Sequence, residues 1–136
     1  MNYFMRNIIL WSWCLPQTLI GFFIIIFLRV QNRIIKFSKY EETTLIISKN
    51  YLFFLGLSLG KFIFVDETQN KIELIKHEYG HTLQNYLFGP FYLIIIGFPS
   101  IFQAVRFNLD KNFNDKEYEN SFPEKWADKL GRVKEK

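Results

Sequence analysis

Lys76-His77-Glu78-Tyr79-Gly80-His81 holds both histidines of the chain, four residues apart. On a helix, positions i and i+4 lie on one face, so the two imidazoles can reach one zinc ion. Glu78 is turned off that line, where its carboxylate addresses water at the metal rather than the metal itself. Zinc lowers the pKa of bound water toward neutrality, and a neighbouring carboxylate then accepts the proton as a general base. A metal-free helix that happens to carry two polar histidines is the plainer reading, but the pattern uses every histidine present. H-E-x-x-H is the spacing of hydrolytic zinc sites, peptidases above all.

The flanking sequence supports the helix. Ile72, Ile75, Tyr79, Leu83 and Tyr86 recur at intervals of three and four, which predicts a helix from about Asn70 or Lys71 to Leu87, stopped by Gly89-Pro90. Residues 33–66 read as strand. Thr43 to Ser48 is β-branched and short, Lys49-Asn50 is a turn signal, and Tyr51 to Leu59 and Lys61 to Val65 are aromatic-rich around Gly56 and Gly60. The expectation is a small antiparallel sheet of two to four strands. Its strand just before the helix would be an edge against which an extended peptide can pair. The aromatic runs Tyr51–Phe54 and Phe62–Phe64 read as core.

Two long apolar runs frame this centre. Ile8 to Leu28 is 21 residues without a charge, about 30 Å as a helix, the thickness of a bilayer core. Trp11 and Trp13, with Tyr3 and Phe4, suit an interfacial belt, and Pro16 predicts a kink. The run is too long for a signal peptide and no small-residue cleavage site follows it, so residues 1–29 read as an uncleaved transmembrane anchor. Arg29, Arg33, Lys36 and Lys39 follow the run while Arg6 precedes it, which places the C-terminal side in the cytoplasm. The second run, Phe91 to Val105, reaches only about 22 Å as a helix and carries Gly97 and Pro99 as breaks. It reads as re-entrant, a membrane hairpin or a buried helical segment. Arg106 to Asn120 reads as a polar linker, and Ser121 opens a short C-terminal helix ending near Gly131.

Composition narrows the classes further. Mean hydropathy is near zero because apolar runs alternate with charged stretches. The net charge of +4 comes from basic residues scattered among acids or flanking apolar runs, which suits a membrane surface and excludes a nucleic-acid footprint. Cys14 is the one cysteine and lies inside an apolar run, so no internal disulfide forms and the third zinc ligand has to be a carboxylate.

Glu124-Lys125-Trp126-Ala127-Asp128 is E-x-x-A-D. H-E-x-x-H followed by this second motif resembles the gluzincin metallopeptidases, and among them the membrane-embedded clan of CAAX prenyl proteases and the heat-shock protease X group. The runs KHEYGHTLQ, GPFYLIIIGFPS and PEKWADKLG also resemble those of small uncharacterised bacterial membrane proteins with the same arrangement. The resemblance implies His77, His81 and Glu124 as zinc ligands, Glu78 as the base, and Asp128 as support for a ligand imidazole. Two histidines and one carboxylate, with a fourth position left for water, form a known catalytic zinc set. The chain departs from that clan in its short length, its single clear anchor and the 42 residues between His81 and Glu124.

Some readings stay open at the level of sequence. Ser121-Phe122-Pro123-Glu124 also reads as a capping box, with Glu124 serving the helix N-terminus rather than a metal. Asp110, Asp115, Glu117 and Glu119 are alternative carboxylates. Glu73 and Gln84 are candidate hydrogen-bond partners of the ligands, and Tyr118 is a candidate oxyanion donor. If the 91–105 segment crossed a bilayer, Glu124 could not meet the histidines, so a shared site requires it to return.

Together these readings predict an α+β membrane protein. An anchor over 1–29 precedes a zincin-like domain over 30–136 that includes the 91–105 segment. The expected function is zinc-dependent hydrolysis of a peptide or membrane-protein substrate at the cytoplasmic face of a bilayer. The alternative is a non-catalytic membrane protein whose structural zinc staples its helices and which acts through a protein partner.

Overall fold

The computed structural model describes residues 2–49, 56–69, 71–112 and 115–133, with the side chains of Asp115, Tyr118 and Glu119 outside the description. The architecture is α+β. Helices α1 (Tyr3–Trp11) and α2 (Leu15–Val30) lead into strands β1 (Ile34–Tyr40), β2 (Thr43–Ser48), β3 (Gly56–Leu59) and β4 (Phe62–Asp66). Helix α3 (Ile72–Phe88) follows, then a helix over Leu93–Leu109 made of a π-turn (Leu93–Gly97) and α4 (Phe98–Leu109), then α5 (Asp115–Asn120) and α6 (Glu124–Gly131). The expected Lys49-Asn50 turn, the strand over Tyr51–Phe54 and Asn70 at the helix start fall outside the described residues.

The sheet is mixed, not antiparallel as the sequence suggested. Its order is β1-β2-β4-β3, with β2 and β4 parallel at the centre and antiparallel partners on either side. The two central strands are buried on both faces. Leu45, Ile47, Ile63 and Val65 pack with Ile75 and Tyr79 of α3, while Ile46, Phe62 and Phe64 pack with Leu28 of α2. Strands covered on both faces become continuous apolar runs instead of alternating ones, as Leu45-Ile46-Ile47 and Phe62-Ile63-Phe64-Val65 are. Among the described strands the edge beside the helix is therefore β3, and β4, the strand nearest α3 in sequence, is internal. Gly60 makes the β3–β4 turn at φ +57° and lies against Thr18, where a side chain would collide.

The 21-residue apolar run is not one straight helix. It breaks at Ser12-Trp13-Cys14, and α1 and α2 meet at 83°. Pro16 explains the break: it has no amide proton to continue α1 and sits in the first turn of α2, where none is needed. No single helix among the described residues is long and apolar enough to cross a membrane, and the bent pair meets that test only when its two arms are taken together. Pro99, expected to break the second run, does not. The π-turn before it widens the backbone, with the Phe98 amide bonding to the Leu93 carbonyl, and the helix continues to Leu109. The supposed linker 106–120 is largely helical, in the end of α4 and in α5.

Candidate metal centre

Helix α3 carries His77, Glu78 and His81, and α6 is packed hard against it. Two glycines permit that approach. A Cβ on Gly80 would strike the Ala127 backbone carbonyl, and one on Gly131 would strike the Lys76 carbonyl. Backbone therefore meets backbone, which brings Glu124 and Asp128, one turn apart on α6, onto the histidines. Phe88 and Phe122 hold the Trp126 ring at 5.8 and 6.3 Å between centroids, closing the outer side of the contact.

Three donor atoms converge. Glu124 Oε2 lies 2.9 Å from His77 Nε2 and 3.5 Å from His81 Nε2, and the three ligand atoms fall within 4.8 Å of one another. Tetrahedral zinc with bonds of about 2.0–2.1 Å sets its ligand atoms roughly 3.3 Å apart, which those distances bracket. Both imidazoles are oriented from behind. His77 Nδ1 donates to Asp128 Oδ1 at 2.6 Å, and His81 Nδ1 donates to Gln84 Oε1 at 2.8 Å. Gln84 is itself fixed, because its Nε2 donates to the Pro123 carbonyl at 3.3 Å, leaving its oxygen for the histidine. With each Nδ1 engaged, Nε2 is the nitrogen that each imidazole turns toward the centre.

The capping-box reading of Glu124 does not hold. Helix α6 begins at Glu124 itself, its cap position is Pro123, and no side chain caps it. The Glu124 carboxylate instead turns inward, 1% exposed, with Ser100 Oγ of α4 donating to Oε1 at 2.5 Å. The helix over Leu93–Leu109 thus returns to the side of the histidines. Ser100 was not legible in the sequence, where it was one polar residue in an apolar run.

Electrostatics match a cation site. Burial opposes charge on His77, but hydrogen bonds to Asp128 and Glu124 outweigh it and hold the imidazolium up to about pH 10. Burial likewise opposes charge on Glu124, and the two histidines overcome it, holding the carboxyl well below the usual range. The arrangement holds positive charge between carboxylates, and a divalent metal could take the place of that proton. Glu78, 5% exposed, is pushed upward mainly by burial. Its carboxylate reaches Gly56 at the start of β3, where an added Cβ would lie 2.5 Å from Oε1. The edge strand therefore begins beside the proposed base.

Other expected residues separate from the centre. Glu73 lies 3.8 Å from Lys76, in a pair on the α3 surface. Asp110 pairs with Arg106 at 3.8 Å. Glu117 is exposed on α5, and the side chains of Asp115, Tyr118 and Glu119 are outside the described residues. Tyr92 is a tyrosine that does stand near the site. It is 3% exposed, and burial together with Glu78 and Glu124 keeps its hydroxyl neutral.

Asp128→Ala should lower zinc affinity about 10–100-fold, the usual cost of losing a carboxylate that orients a ligand imidazole. Competition against a chromogenic chelator measures this directly. An unchanged affinity would mean that His77 is oriented without Asp128.

No protein-family model matches the chain, no curated protein is significantly similar to it, and no solved structure matches its fold.

Proposed function

We propose that the chain is a small membrane-associated zinc metallopeptidase of gluzincin type. The observation that carries this reading is the convergence of His77 Nε2, His81 Nε2 and Glu124 Oε2, with a further buried carboxylate, Glu78, beside them and outside the ligand set. The donor set suits zinc, being two imidazoles and a carboxylate without thiolate. A zinc ion held there would polarise a scissile carbonyl and bring the pKa of water toward neutrality.

The remaining steps belong to the chain's own residues. Glu78, its proton affinity raised by burial, takes a proton from the attacking water and returns it to the leaving amine. Asp128 and Gln84 keep the imidazoles turned inward, and Ser100 holds the far oxygen of Glu124. The β3 edge, which starts at Gly56 beside Glu78, offers backbone groups to an extended peptide. Substrate would be a peptide segment at a bilayer surface, on the cytoplasmic side.

A second reading is a structural zinc. It is favoured by the depth of Glu124 and by the way the candidate ligands join α3 to α6 as a staple. The two readings separate in one experiment. Detergent-purified, zinc-loaded protein is incubated with a peptide library with and without 1,10-phenanthroline. Cleavage that stops with chelator and returns with zinc supports the peptidase. Tightly bound zinc with no cleavage, and unfolding on chelation, supports the staple.

A further inference from the structure

The N-terminal apolar run has both of its ends fixed to the same domain. At its start, Arg6 Nη1 pairs with Glu42 at 3.3 Å and donates to the Tyr79 hydroxyl at 3.2 Å. Glu42 is 1% exposed and also accepts from Tyr79 and Tyr86 of α3. Asn7 receives the Lys61 ammonium, and Trp11 stands edge-on to Phe62. In the middle, Gln17 donates to Asn85 Oδ1 and to the Gly89 carbonyl, both at 2.7 Å. At its end, Leu28 is buried in the sheet cluster and the Lys49 amide donates to the Arg33 carbonyl at 2.8 Å. A helix crossing a bilayer would carry Arg6 about 30 Å away from the face that holds Arg33. Here Arg6 reaches Glu42 just before β2, and Arg33 reaches Lys49 just after it.

The outward side of α2 is apolar, with Phe23 64% and Phe27 57% exposed. The outward side of the Leu93–Leu109 helix is similar, with Ile94 72%, Phe98 71% and Leu109 79% exposed. The two helices meet at one point, where Leu93 packs into the same cluster as Ile24, Ile25 and Leu28. Trp11 and Trp13 are half-exposed beside them, and Trp13 covers Gly89 between the two segments. Charge selects the occupant. Arg29, Arg33, Lys36 and Lys39 follow the apolar run with no acidic side chain before Glu41, while Arg6 is paired with Glu42 and Arg106 with Asp110. An apolar face with half-exposed tryptophans and a cluster of basic residues after α2 fits an anionic lipid leaflet.

We propose that the chain is monotopic: the outer faces of α2 and of the Leu93–Leu109 helix enter one leaflet side by side, and neither apolar run crosses the bilayer. This replaces the crossing anchor that the sequence alone suggested. It rests on the membrane association stated above but not on the zinc chemistry, so metal analysis and membrane topology fail independently. It also requires no charged residue to be translocated, which keeps the metal centre on the side of synthesis.

The test uses the full chain with Cys14→Ser, which keeps a donor toward the Asn85 carbonyl, and a single added cysteine at Tyr3→Cys or Lys39→Cys. Each is synthesised in the presence of sealed phosphatidylcholine–phosphatidylglycerol vesicles, floated on a density gradient and treated with a membrane-impermeant maleimide before and after detergent. Both positions should label fully before detergent. Labelling of Tyr3→Cys only after detergent would establish a crossing and overturn the proposal, and failure of the protein to float would overturn it as well. Ile94→Glu with Phe98→Glu should reduce partitioning into the vesicles roughly tenfold or more, since two apolar anchors leave the leaflet. Unchanged flotation of that variant would show that α2 binds alone and would likewise overturn a shared face.

Discussion

Glu78→Gln should abolish peptide hydrolysis while the protein keeps its fold and its zinc. The substitution preserves shape and removes the proton acceptor. Glu78 is buried, its carboxyl pKa is raised, and it stands beside the ligand set without belonging to it. General base catalysis by a positioned side chain contributes about 10²–10⁴-fold, so kcat should fall by that order. KM should change little, because the lost interaction is made in the transition state. Metal content, thermal stability and steady-state kinetics on one preparation separate the outcomes. Activity retained in Glu78→Gln would remove Glu78 from the mechanism. Zinc lost together with activity would make it a ligand rather than a base.

The second large effect is expected from a single methyl group at Gly80. In an exposed helix, Gly→Ala gains about 1 kcal/mol from helix preference. At Gly80 the sign should reverse, since the new Cβ meets the Ala127 backbone carbonyl and neither backbone can step aside without moving α6. Overpacking of this kind costs about 1–3 kcal/mol. Displacing α6 also carries Glu124 and Asp128 away from the histidines. Gly80→Ala should therefore lower Tm by roughly 5–10 °C and lose zinc, although no ligand is altered. Gly97→Ala is the control, because its Cβ would find Leu93 Cδ2 at 3.6 Å, an ordinary contact. Thermal melts and metal content of the two variants decide the matter. Equal behaviour would mean that α6 is not held by the glycine contact.

These two residues also show what was legible in the chain. The grouping of His77 with His81 follows from spacing, because helical geometry alone puts i and i+4 on one face. Gly80 was visible as an oddity inside a helix, but nothing local says which element comes close to it. That depends on Gly131, 51 residues later and equally bare. Glu124 and Asp128 were reached through a resemblance, and the structure then brings both to the histidines. The capping-box alternative fails because its pattern is local, whereas α6 starts at Glu124 and packs on α3. The sheet was read as antiparallel because short aromatic strands separated by glycines look like hairpins. The contrary signal was the unbroken apolar run in β2 and β4, which indicates strands covered on both faces. Glu42 was passed over entirely. A carboxylate beside a turn reads as solvated, and only the tertiary fold gathers Arg6, Tyr79 and Tyr86 around it.

The first apolar run teaches the same point about length. Twenty-one uncharged residues satisfy the arithmetic of a membrane span. The inward positions Gln17, Thr18 and Gly21 are polar or small, however, and they dock on the domain together with Leu28. An apolar stretch that buries polar side chains against its own protein has a second face to account for, and in α2 that face carries the large aromatics.

The most direct test of the metal centre is elemental analysis of the detergent-purified chain with His77→Ala and Glu124→Ala beside it. One zinc per chain is expected in the unaltered protein and none in either variant, although the two residues lie on different helices. Zinc retained in Glu124→Ala, or no zinc in any form after reconstitution, would contradict it.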